Sequence, residues 1–171
     1  MANNIIAGDI DLDKIGKGRT VHDIADSIIK PFNRALIRII VLSKNKSKNI
    51  RTESQTASLE RVEGLVKIVT YECPPWCIAR SFPHMISQKE HIVNKDPSFY
   101  DKKKFLHLVK PDERQQMILD LMDLIEMMIN KASEDELNEA WDLIFVLLYT
   151  CVKFKEHIDA TGIEYGQSWK Y

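Results

Sequence analysis

Two long apolar patterns with a helical period fill the last third of the sequence, and they restrict the fold more than any other feature. The first covers residues 111–132. Its apolar residues recur every three or four positions; they are Met117, Ile118, Leu121, Leu124, Ile125 and Met128. The second covers residues 133–160 and is apolar on every side between Leu143 and Val152. A helix that is apolar all round is expected to be buried within a bundle.

Start and stop signals frame both patterns. Pro111 is followed by two acidic residues, which suits the first turn of a helix. Ser133 and Glu136 form a capping-box motif, and Gly162 is a plausible helix stop. Because only a few residues join the two helices, we expect them to pack antiparallel as a hairpin over residues 111–160 at the centre of the fold.

Helical patterns also dominate the rest of the chain. One short helix is predicted over residues 21–30 and a second over 31–44, beginning at Pro31. A third, over residues 58–72, has a buried stripe of Leu59, Val62, Val66 and Val69. Two adjacent prolines, Pro74 and Pro75, end it. From there to Pro97 we expect irregular chain or short helices.

The β-branched runs 37–42 and 66–71 are the two candidate strands. A two-stranded sheet alone is barely stable, so helix is the better interpretation. The sequence therefore predicts an all-α fold, a compact single-domain bundle of about five to seven helices. Outside the predicted core lie an N-terminal arm (1–19), a basic mobile loop (43–56) and a C-terminal tail (162–171).

The composition limits the classes of protein to which this chain could belong. The chain is 44% hydrophobic and 29% charged, as globular proteins are. It has no apolar run long enough to span a membrane and no signal-peptide pattern. Three cysteines do not suggest a disulfide framework, so we expect a reducing, cytoplasmic location. Abundant Ile, Lys and Asn with few Ala and Gly fit an AT-rich coding sequence, as in many viruses and some bacteria. For a virus-encoded chain the location would be the host cytoplasm.

The net charge of −1 hides an uneven distribution. Residues 30–110 carry sixteen Lys and Arg against seven Asp and Glu, whereas residues 111–142 carry ten acids against two bases. Such asymmetry predicts a polyanionic partner or head-to-tail self-association. The alternative is that each segment has an ordinary solvated face.

Two basic regions are candidates for contact with RNA or DNA. They comprise Arg34, Arg38, Lys44, Lys46, Lys48 and Arg51, and then Lys102, Lys103 and Lys104. Lysines on mobile loops make phosphate contacts, and the aromatic residues beside the second run could stack on bases. The isoelectric point of about 6.5 is lower than that of most dedicated nucleic-acid binders.

A cluster of cysteines and histidines raises the question of zinc. It consists of Cys73, Cys77, His84 and His91. The C-x3-C spacing suits half of a zinc site, but the histidines are too far apart for the usual second half. The intervening prolines also remove backbone N–H groups. We favour a stiff turn with buried cysteines and a core Trp76, and therefore expect no cofactor, with zinc as the alternative.

The predicted hairpin carries two carboxylate series. They are Asp120, Asp123 and Glu126 on one helix, and Glu136, Glu139 and Asp142 on the other. Facing each other, they could hold Mg²⁺ for hydrolysis. The same spacing is what any solvated helix face shows.

The favoured function is that of a non-enzymatic helical assembly or adaptor protein. It would self-associate, bind another protein, and bind RNA or DNA through residues 34–51 and 102–104. One alternative is a regulator that binds its partner in an apolar groove without nucleic acid. The other is a Mg²⁺-dependent hydrolase that uses the hairpin carboxylates.

Overall fold

A computed structural model describes residues 24–100 and 113–162 of the chain. This part contains six α-helices and no strand, which confirms the all-α bundle. The helices are α1 (Lys30–Lys46), α2 (Glu53–Glu72), α3 (Trp76–Ser87), α4 (Lys89–Val93), α5 (Glu113–Lys131) and α6 (Glu134–Thr161). A π-helical segment (Ala25–Ile29) precedes α1, and a 3-10 helix (Pro97–Tyr100) follows α4.

The first two predicted helices form one helical run. The predicted boundary at Pro31 is absent, because the π-helical segment leads directly into α1. The Lys30 backbone N–H donates to the carbonyl of Ala25, five residues back. Proline is tolerated in the first turn of α1, where an N–H group would lack a partner within that helix.

The segment predicted as a mobile loop at 43–56 is shorter in the structure, where only residues 47–52 are outside the helices. Helix α1 continues to Lys46, the turn occupies residues 47–50, and α2 begins at Glu53. The Ser47 hydroxyl and backbone N–H both donate to the carbonyl of Ser43, which closes the end of α1. Thr52 and Gln55 form a reciprocal capping box at the start of α2. Local hydrogen bonds order this polar segment, although it has few apolar side chains.

The cysteine–proline segment is a stiff turn, as expected. Helix α2 ends at Glu72, and Pro75 is the N-cap of α3. The Trp76 N–H donates to the carbonyl of Cys73 at 2.9 Å, and the Asn33 amide donates to the carbonyl of Pro74, also at 2.9 Å. The second bond ties the turn to α1. Beyond the turn, α3 and α4 are regular helices, the former with Pro83 inside it.

The larger core surrounds α6, which packs mainly on α1 and α3. Phe154 of α6 is fully buried and meets Phe82 of α3 edge to face at 5.4 Å between ring centroids. The buried members of this larger core are Ile24, Ile28, Ile29, Phe32, Ala35, Val69, Cys77, Ile78, Leu147, Cys151 and Phe154. The stiff-turn interpretation predicted a core Trp76; the residue packs against this cluster but is only half-buried.

A smaller core lies where α1, α2 and α5 meet, and it corrects the predicted hairpin. It is formed by Ile40, Leu59 and Leu124. The Ser133–Glu136 capping box joins α5 to α6 as predicted. However, α5 makes its extensive contacts with α2, and α6 makes its own with α1 and α3. The two C-terminal helices therefore serve different cores instead of pairing with each other at the centre.

Helix α6 is also less buried than its composition suggested. Val146 is 38% exposed and Tyr149 is 62% exposed, both within the stretch that is apolar on every side. The helix ends at Gly162, whose φ of 68° is left-handed, as the predicted stop required. None of the helices in the described part of the chain is both long and apolar enough to cross a membrane.

Candidate functional site

The predicted nucleic-acid residues on α1 are largely engaged within the chain. The Arg38 guanidinium donates to Glu139 of α6 at 3.1 Å, and Lys46 pairs with Glu136. Lys44 pairs with Glu63 of α2 at 2.8 Å. These contacts place basic side chains of α1 against acidic side chains of two neighbouring helices.

Arg51 has an equally local role. Its guanidinium donates to the carbonyl of Lys44 at 2.6 Å, and also to the hydroxyls of Ser47 and Thr56. It therefore bridges the end of α1 and the start of α2. Arg34 and Lys48 are exposed. The second basic run, Lys102, Lys103 and Lys104, lies outside the described residues, as do the arm at 1–19 and the tail beyond Gly162.

The uneven charge along the sequence is partly balanced inside the molecule. Arg38 and Lys46 come from the basic segment, and their partners Glu139 and Glu136 come from the acidic one. The hydrogen bond from Lys46, followed by the bond from the Ser133 backbone, holds the pKa of the Glu136 carboxyl below its usual value. Because these pairs are exposed, salt screens them and each contributes little to stability.

Members of the two carboxylate series contact different helices. Asp120 of α5 accepts hydrogen bonds from Ser54 and Ser58 of α2, each at 2.8 Å. Glu136 and Glu139 of α6 instead meet α1. Among the residues that the structure describes, no three His, Cys, Asp or Glu side chains are grouped as metal ligands would be.

Within the described residues, no three of the four candidate zinc ligands are grouped as metal ligands would be. Cys73 caps the end of α2 and Cys77 lies in the first turn of α3; both are buried. Burial raises the pKa of the Cys77 thiol to about 12. His84 lies near the end of α3, and the His91 ring bonds to residues that follow α4.

The His91 contacts resemble a catalytic triad in composition but not in geometry. Its Nδ1 lies 2.9 Å from Asp96 Oδ2 and 3.1 Å from Ser98 Oγ. A triad needs the carboxylate and the nucleophile on opposite ring nitrogens, whereas here both contact the same one. Asp96 also accepts from the Ser98 backbone N–H, the largest cause of its lowered pKa. The cluster therefore orders the start of the 3-10 helix.

The clearest unassigned surface is an exposed apolar stripe on α2, which was not predicted from the sequence. We call it the α2 outer face; it comprises Arg61, Gly64, Leu65, Ile68, Tyr71 and Glu72, all exposed. Leu65 is 47%, Ile68 58% and Tyr71 82% exposed. The spacing of three and four residues puts them on one side of the helix. The sequence did contain one signal for this surface: Leu65, Ile68 and Tyr71 fall outside the buried stripe predicted for the same helix.

Gly64 sits in the middle of this face. Within the described structure, a Cβ added to Gly64 would meet no atom within 4 Å, and its φ is not left-handed. Glycine in a helix interior costs about 1 kcal/mol relative to alanine. Nothing within the described fold compensates that cost, whereas close approach of another backbone would.

Comparison with protein-family models, with curated proteins and with solved structures found no match to this chain. Its function is therefore inferred from the geometry of its own residues.

Proposed function

We propose that this protein is a non-enzymatic helical assembly protein that self-associates through the α2 outer face. The observation that carries the proposal is the exposure of Leu65, Ile68 and Tyr71 on one side of one helix. Arg61 and Glu72 lie beside them as charged neighbours. An exposed apolar patch with a polar rim is typical of a protein-binding surface.

The non-enzymatic part of the proposal is supported by the positions of the carboxylates. Asp120 accepts from two serines of α2, and Glu136 and Glu139 pair with cations of α1. A metal-assisted hydrolase would be expected to direct such groups into one shared site. Helix packing and charge pairing account for the positions of Asp120, Glu136 and Glu139.

The proposal does not depend on nucleic acid. Of the six predicted cations that the structure describes, four bond to groups of the chain itself, which reduces their value as phosphate contacts. Binding of RNA or DNA through the others stays a prediction. Salt-dependent fluorescence anisotropy with a labelled single-stranded oligonucleotide would test it.

Sedimentation velocity over a concentration series tests self-association. The informative variant is Ile68→Lys, with Val93→Lys on α4 as the control, since the two residues are 58% and 56% exposed. We expect wild type to form a reversible oligomer. Ile68→Lys should raise its dissociation constant at least about tenfold, because a charge would be buried in the contact. Val93→Lys should leave it unchanged.

Two outcomes would contradict the proposal. A wild-type chain that stays monomeric at every concentration has no self-association to explain. An oligomer that Ile68→Lys and Val93→Lys weaken equally would not form through α2. Far-UV circular dichroism of both variants confirms that each is folded.

A further inference from the structure

We draw no further inference here: the strongest candidate, the exposed α2 outer face, belongs to the site already described, and nothing in the described part of the chain shows in which orientation a second copy would cover it.

Discussion

The Arg38 guanidinium donates to the Glu139 carboxylate at 3.1 Å although 101 positions separate the two residues in the sequence. The Lys46–Glu136 pair connects the same two helices from 90 positions apart. Together they join the exposed side of α1 to the first turns of α6. Residues that looked like a surface for phosphate are therefore partners of the most acidic segment of the same chain.

The Arg38–Glu139 pair should make a small and salt-sensitive contribution to stability. A double-mutant cycle with Arg38→Ala and Glu139→Ala should give a coupling energy below about 1 kcal/mol at low salt, because both side chains are substantially exposed. Urea denaturation at low and at high salt measures it. The coupling should shrink as salt rises.

The Lys155–Asp159 pair is the reference for this cycle, since it lies within one helix and tests no tertiary contact. A coupling for Arg38 and Glu139 that is zero at low salt would mean that the pair does not stabilise the contact between α1 and α6. A nonzero coupling that salt leaves unchanged would contradict the predicted screening of an exposed pair.

Glu63 should contribute a pH-dependent part of the stability. Hydrogen bonds from Lys44 and then Lys67 lower the pKa of its carboxyl below the ordinary value of 4.5. Its contribution is thus present above pH 4.5 and is lost as the pH falls through the lower pKa of the folded state. The free energy of unfolding of the wild type should exceed that of Glu63→Gln by under about 1 kcal/mol at pH 6. The difference should shrink toward pH 3.

Urea denaturation at a series of pH values, at one dilute protein concentration, provides the comparison. Glu60→Gln on the same helix is the matched control, since Glu60 is exposed. It removes a carboxylate of α2 and leaves the contacts of Glu63 in place. If the Glu63→Gln difference stays constant over the pH range, the contacts with Lys44 and Lys67 do not stabilise the folded state.

The native cysteines should react slowly with thiol reagents. Burial raises the pKa of Cys77 and of Cys151 to about 12, and Cys73 is only 2% exposed. Since the thiolate is the reactive form, labelling at pH 8 should be at least about a hundredfold slower in folded protein than in urea. Absorbance after addition of an aromatic disulfide reagent follows the rate.

Ser87→Cys is the control, because Ser87 is exposed at the end of α3 and its replacement should react quickly in the folded state. Rapid labelling of the wild-type chain would contradict the buried turn. It would also reopen the question of zinc at Cys73 and Cys77.

Helix positions were largely predictable because their signals are local. The Ser133–Glu136 capping box, the Gly162 stop and the prolines after α2 all act within a few residues of where they stand. The boundary at Pro31 was one exception, and the segment at 43–56 was another. Its polar composition suggested a loop, but Thr52 and Gln55 form a second capping box that composition alone does not reveal.

The candidate site was much less predictable. An apolar stripe shows that a helix face will be buried, but any other stripe of similar width can cover it. Leu124 of α5 thus packs with Leu59 of α2 and not with α6, despite the two-residue connection between α5 and α6. Charged residues have the same ambiguity, because composition does not reveal whether a cation meets a partner or solvent.

The sequence by itself determined the helical class, the main helix ends and the stiff turn at Pro74 and Pro75, since these depend on backbone geometry and on contacts between near neighbours. Only the tertiary structure decided that α5 and α6 serve separate cores, that Arg38 meets Glu139, and that the α2 outer face stays exposed. Those outcomes depend on which of several compatible surfaces meet, and that choice is made by the packing of the whole chain.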